Sequence, residues 1–346
     1  MKLKEYKSLE EKKKWFKEHS ILNSQQQVKE FLSSIEDENS SSKVFRGVGE
    51  AKYRIYSSSQ RMWITQELEN RFDSYLNFLE KLVGEFKSTN KVIEKFFSKI
   101  ETLPEEIPIL SYLQHYGAPT PLIDFTKNMN VALFFAIDGL RHNPSLDIDN
   151  YFSIYTLDDI EYSIQKKKSD YYDEMRDTIE KSPIGKYEKV IDTQKELDKL
   201  FNKELLSLEN FMKYKPEFIS ETTIKNITYY TETNLNILNQ SGLFVINPLA
   251  ITPLEEAFLI CERLMATKKD EEILSRDKRE VNLLNITDKM PDEVKFPVVN
   301  HLTCIDIHKS FKHQILDYLN IKGINSQFIY PDVKEMISET VKNILK

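Results

Sequence analysis

The stretch QHYGAPTPLIDFTKNMNVALFFAIDGL, residues 114–140, decides how this chain folds. It holds a helix end, a strand and a second helix in succession. His115 and Tyr116 close a periodic apolar run that Gly117 can cap, because glycine enters the left-handed conformation at a helix end without a side-chain clash. Pro119 and Pro121 bar further helix. PLIDFT then reads as a short strand in which Asp124 and Thr126 flank Phe125 and share one face. VALFFAIDGL is apolar around its whole circumference, which predicts a helix buried on all sides.

Working outward, the spacing of Phe72, Tyr75, Leu79, Val83, Phe86, Ile93 and Phe97 predicts helix through most of 60–116, with a firm break at LPEEIP, 103–108. Upstream lie two amphipathic helices, at 3–19 and 25–36, a strand at Val44 to Arg46 cut short by Gly47 and Gly49, and an extended piece at Tyr53 to Tyr56. Downstream, YFSIYT at 151–156 alternates as a strand. Residues 158–232 are long and charged and read as a mostly helical insertion. Strands are expected again at 235–247 and 302–307, with helices through EEAFLICERLM, at 309–321 and at 331–345. The expected fold is α+β: a short-stranded mixed or antiparallel sheet surrounded by long helices. The expected division is an N-terminal helix at 1–24, one domain at 25–335 carrying the insertion, and the end of a terminal helix at 336–346.

Composition bounds the function. The chain has 346 residues, 40% apolar and 11% aromatic, enough for a sizeable core, and a net charge of −7 that argues against a general polyanion binder. Eight glycines stand where average usage would give roughly two dozen. No glycine begins a GxxxxGK[ST] loop, and Gly47-Val48-Gly49 lacks the third glycine of a dinucleotide fingerprint, so the familiar phosphate cradles are excluded. HExxH and CxxC are absent, and Cys261 and Cys304 lie far apart, so no metal is expected and both thiols read as buried and reduced. The charged N-terminus has no apolar signal core and no stretch is long enough to span a membrane. A cytoplasmic protein without a membrane partner is the expectation.

Three clusters place polar residues inside apolar surroundings. In VFRGVG, 44–49, Arg46 projects from a strand beside glycine backbone, a placement suited to bidentate contact with phosphate and equally to an internal carboxylate. In the quoted stretch, His115 with Asp124 and Thr126 reads either as acid–base chemistry or as a core histidine beside a helix cap. In NQSGLFVINP, 239–248, Gln240 and Gly242 interrupt an apolar strand, as a bulge, a ligand contact or a glutamine paired with backbone.

Taken together, the clusters resemble the FRG domain, a bacterial and phage-associated family whose Phe-Arg-Gly stands here at Phe45, Arg46 and Gly47. The resemblance continues through SSSQR at 57–61, QHYGAPTPLIDFT, ALFFA at 132–136, QSGLF at 240–244 and GINSQFIYPD at 323–332, covering roughly 25–335. The chain departs from the family at Pro121, Phe125, Ser57 and Asn236, where Arg, Trp, Pro and Arg are usual. The order of an Arg-Gly strand, a polar strand ahead of an apolar helix and a later polar residue is also similar to ADP-ribosyltransferases. That resemblance implies NAD as cofactor, held by Arg46, Gly47, Arg61 and Thr126, with Asp124, His115 and Gln240 as catalytic residues. It implies transfer of ADP-ribose to a protein or nucleic acid in phage defence or a toxin system. The alternative it leaves is a non-catalytic nucleotide or nucleic-acid recognition module whose insertion engages a partner. Gln240 occupies a place where the transferases have a glutamate.

Overall fold

The computed structural model describes residues 2–16, 18–37, 43–99, 105–140, 146–158, 217–219, 222–224, 227–229, 235–259 and 302–332. Their architecture is α+β. The strands are β1 His19–Leu22, β2 Lys43–Val48, β3 Leu122–Thr126, β4 Tyr151–Asp158, β5 Glu217–Ile219, β6 Thr222–Ile224, β7 Ile227–Tyr229, β8 Gly242–Ile246 and β9 Leu302–His308. Seven of them form a mixed sheet in the order β1-β9-β4-β2-β3-β8-β5, and β6 with β7 forms a separate hairpin. β1 runs parallel to β9 and the remaining neighbours are antiparallel.

The strand β4 shows how the layers separate. Phe152 and Ile154 pack with Val28 and Leu32 of α2 (Gln25–Asp37) and with Ile315 and Leu319 of a late helix, while Tyr151, Tyr155 and Leu157 pack on the opposite face against Tyr6, Leu9 and Phe16. Alternation along one strand thus serves two apolar layers. A third core joins α3 (Ser58–Thr65), α4 (Tyr75–Thr89), α5 (Val92–Lys99) and α6 (Glu106–His115) around Trp63, Phe78, Leu79 and Leu110. The remaining helices are α1 Leu9–Lys13, α7 Met129–Ile137, α8 Leu235–Asn239, α9 Lys312–Ile321 and α10 Ser326–Ile329.

The deciding stretch folds as its residues dictate. Gly117 takes φ +80, its N–H donates to Gln114 O and the Ala118 N–H reaches Leu113 O, the paired bonds of a Schellman end to α6. Asn128 caps α7, its Oδ1 accepting the Asn130 N–H at 2.9 Å, while Thr126 Oγ1 accepts the Asn128 N–H at 3.0 Å. Val131, Ala132, Leu133, Phe134, Ala136 and Ile137 of α7 are all buried.

Several elements differ from expectation. The helix expected over 3–19 is confined to Leu9–Lys13, and His19–Leu22 is an edge strand of the main sheet, so 1–24 is not a helix. The extended piece expected at 53–56 joins neither sheet; Tyr53 makes an isolated bridge to Glu5. Within 158–232 the described residues after Asp158 are strands, and β5 joins the sheet beside β8. Their segments EFI, TTI and ITY are β-branched and aromatic, which favours extended backbone despite the charged context. The rest of that segment, like the helix expected at 331–345 beyond Asp332, lies outside the described residues. The strand expected over 235–247 begins as the helix α8, turns at Gln240 and Ser241 with Ser241 at φ +47, and becomes strand only at Gly242.

One irregularity of the sheet positions the site. β2 pairs with β4 along its length, from Lys43–Asp158 to Val48–Ser153, and β3 pairs with β8 from Leu122–Ile246 to Thr126–Gly242. Between β2 and β3 the register holds at Phe45–Thr126 alone. The sheet therefore opens beyond that pair, and backbone groups on both sides need other partners.

Candidate functional site

Arg46 fills that opening. Its Nη1 donates to the Asp124 carbonyl at 2.5 Å, replacing a ladder bond across the gap. Its Nε is buried and has no hydrogen-bond partner among the described residues. Burial pulls its pKa below the ordinary arginine value, with Asp124 opposing that pull and Arg61 adding to it. A guanidinium remains charged at neutral pH under such a shift.

Around Arg46 lies a cavity of about 390 Å³, lined by Gly47, Gln114, His115, Asp124, Thr126, Asn236, Gln240 and Tyr330 together with apolar side chains. Its size falls at the low end of small-molecule sites. Arg46, His115, Asp124, Thr126 and Gln240, drawn from three separate parts of the chain, line this one space. Arg61 does not; its Nη1 donates to the Tyr56 carbonyl at 2.6 Å, and its charge acts on Arg46 from outside the cavity.

Asp124 is the exposed side chain of an otherwise buried strand. Both its oxygens accept from Gln114 Nε2, at 3.2 and 3.0 Å, and Gln114 Oε1 in turn accepts from the buried Thr120 hydroxyl. Thr120 thereby sets the orientation of the amide that holds the carboxylate. His115 is half-buried, with its Nε2 buried and without a partner among the described residues. Burial lowers its pKa, with Asp124 opposing, so the ring is neutral at pH 7 and able to accept a proton.

Two residues have their polar atoms occupied within the fold. The Thr126 hydroxyl donates to the Gln240 carbonyl at 2.5 Å while it receives the Asn128 N–H, which fixes the β3–α7 corner. Gln240 Nε2 donates to the Ile329 carbonyl at 3.0 Å, the glutamine–backbone pairing that its sequence context left open. This bond requires a donor, and a glutamate there would set a carboxylate against a carbonyl oxygen. Gln240→Glu is expected to lower stability by about 1–3 kcal/mol at pH 7. Because a protonated glutamic acid could donate to Ile329, the deficit shrinks as pH falls below the carboxylate range. Denaturant titrations at pH 4 and pH 7 check this, and an equal deficit at both would contradict it.

Gly47 serves packing as well as lining. A Cβ built there would lie 1.9 Å from the Ala132 carbonyl oxygen of α7. Gln114 and Tyr330 are the participants that sequence reasoning missed. Gln114 precedes His115 in the same helical turn, whereas Tyr330 lies in the GINSQFIYPD stretch, which resembles the family but points to no role for the tyrosine.

A second buried polar cluster lies apart from the cavity. His19, Cys304 and Asp306 bring ligand-type atoms within 4.8 Å of one another. The positive charge among them is Lys12, whose Nζ lies 2.6 Å from both Asp306 Oδ1 and Ser153 Oγ, over the Tyr155 ring at 5.0 Å.

Residues 41–144 match the family model of the FRG domain. This chain carries an FRG domain. The match includes Arg46, Gly47, Arg61, His115, Asp124 and Thr126, and it ends before Gln240 and Tyr330, so elements beyond the matched FRG residues complete the cavity wall. No curated protein and no solved structure matches the chain. Among the described residues no helix is long and apolar enough to cross a membrane.

Proposed function

We propose that the FRG cavity binds NAD or a related nucleotide and that the protein transfers ADP-ribose from it to a protein or nucleic acid, in bacterial conflict such as phage defence or a toxin system. The observation that carries this reading is the convergence of Arg46, His115 and the Asp124 carboxylate on one cavity, with Arg46 Nε and His115 Nε2 buried and without hydrogen-bond partners among the described residues. A buried donor without an acceptor costs about 1–3 kcal/mol, a cost that a phosphate oxygen at Arg46 would remove.

The chemistry follows from these groups. In the transfer, the bond between ribose C1 and the nicotinamide nitrogen breaks and its electron pair leaves with the ring. The acceptor's nucleophile then bonds to C1 and releases its proton. Positive charge grows on the ribose on the way, so a fixed carboxylate gains value in the transition state. Asp124, held by Gln114, supplies it in place of the glutamate that Gln240 does not provide. Neutral His115 takes the acceptor's proton. The likeness to ADP-ribosyltransferases rests on the order of the motifs.

The engagement of the Gln240 amide with Ile329 favours a second reading, in which the same cavity recognises a nucleotide or nucleic-acid end without turnover and the 158–232 segment binds a partner. Incubation with labelled NAD and candidate acceptors, together with calorimetry, separates the two. Arg46→Ala is expected to weaken NAD binding about 30-fold, the loss of a charged hydrogen-bond donor. Asp124→Asn should leave binding within a few-fold and lower transfer about 100-fold. NAD binding without label transfer or NAD loss would select the recognition module. Absence of NAD binding would remove NAD from both readings.

A further inference from the structure

We propose that Tyr330 recognises the planar ring of the ligand, so that the cavity takes a heteroaromatic ring joined to a phosphorylated ribose. The proposal rests on the nucleotide reading of the cavity.

Besides the His115 imidazole, five aromatic rings line the space: Phe45, Phe125, Phe135, Phe244 and Tyr330. Phe45, Phe125 and Phe244 are 5%, 3% and 1% exposed, so core packing uses their faces. Phe135 is half-buried and Tyr330 is 43% exposed. Among the phenylalanine and tyrosine rings, the surface left for a ligand therefore belongs to these two. Their centroids are 6.3 Å apart with planes at 69°, which makes a corner in which a flat group stacked on one ring meets the edge of the other.

Tyr330 is held in that corner before any ligand arrives. Two consecutive carboxamides at the end of α8 grip two consecutive carbonyls of α10: Asn239 Nδ2 donates to Phe328 O at 2.9 Å and Gln240 Nε2 to Ile329 O at 3.0 Å. The Ile329 side chain is fully buried, the Tyr330 hydroxyl donates to Asp138 Oδ2 at 3.0 Å, and the ring meets Phe134 at 6.1 Å. A ring fixed at both ends loses little freedom when it is covered, so its exposed face is available at low entropic cost. Within this site the FRG segment supplies the cation and the carboxylate. The later segment supplies the ring wall.

Calorimetry on the full chain with nicotinamide mononucleotide, AMP and ribose 5-phosphate tests the assignment. Tyr330→Ala is expected to weaken the ring-bearing probes by about tenfold or more, as loss of an aromatic stacking partner does, and to leave ribose 5-phosphate unchanged. Tyr330→Phe keeps the ring and should stay within about threefold of the parent chain. A loss confined to one nucleotide supports the assignment and names the ring. Tyr330→Leu, which retains apolar bulk, provides the same comparison should Tyr330→Ala unfold. Equal losses for all three probes would make Tyr330 a structural prop and overturn the proposal. Unchanged nucleotide binding would overturn it while the nucleotide reading stands. Failure of the parent chain to bind any of the three removes that reading and this proposal with it.

Discussion

Lys12→Met should lower the stability of the folded chain by about 3–5 kcal/mol, the cost of leaving a buried charge without its partner. Lys12 and Asp306 have no exposed side-chain surface and their charged atoms are 2.6 Å apart. The three ammonium protons have three destinations: Asp306, Ser153 and the face of Tyr155. Without Lys12, Asp306 keeps His19 and Ser153 but must hold a negative charge in the core or take up a proton. The double variant Lys12→Met with Asp306→Leu removes both charges and is expected to recover most of the loss. Denaturant unfolding of the two variants decides it; a double variant no better than the single one would assign the cost to packing.

The same pair predicts a pH window. Burial pushes the Asp306 pKa up, but Lys12, His19 and Ser153 outweigh it and hold the group below the ordinary carboxylate value. Its contribution is therefore present above about pH 4 and is lost as pH falls through the depressed folded value. Lys12 is raised above the ordinary lysine value, its partners outweighing burial, so its contribution is complete below about pH 10 and fades as pH rises through the folded value. Lys12→Met should flatten the pH dependence of stability on the acid side.

Gly47→Ala is expected to cost about 3 kcal/mol, the upper end of what overpacking costs. The added carbon would meet backbone on α7: the Ala132 carbonyl oxygen at 1.9 Å, the Ala136 nitrogen at 2.7 Å and the Ala132 carbonyl carbon at 2.9 Å. Backbone of a buried helix cannot turn aside as a flexible side chain can, so α7 would have to lift from β2. Gly49→Ala is the control, since its nearest neighbours stand at 3.4 and 3.5 Å and the substitution should cost less than about 1 kcal/mol. Thermal unfolding of the two variants measures the contrast. Equal shifts would show that α7 yields freely.

The two glycines show where local reading reached its limit. Gly47 and Gly242 both stand in the polar clusters of the sequence, and both sit at close approaches. The approaching groups are, however, elements of this chain: α7 over Gly47, and the Ile237 side chain, 2.6 Å from a Cβ at Gly242. A missing side chain signals that something comes near, and what comes near depends on residues far away. Gln240 teaches the same point. Its setting allowed a bulge, a ligand or a backbone partner, and the choice fell to Ile329, 89 positions later.

By itself, the sequence determined the local grammar: the Schellman end at Gly117, the strand carrying Asp124 and Thr126, the wholly buried α7, and an α+β class. These follow from periodicity, capping and backbone preference, which act over a few residues. Tertiary structure alone decided that β2 and β3 part after one register pair, that Arg46 fills the gap, that 1–24 contributes an edge strand, and that Tyr330 closes the cavity. Each of these is a pairing between segments distant in the chain, where the free energy comes from surfaces meeting and no local pattern records which surfaces will meet.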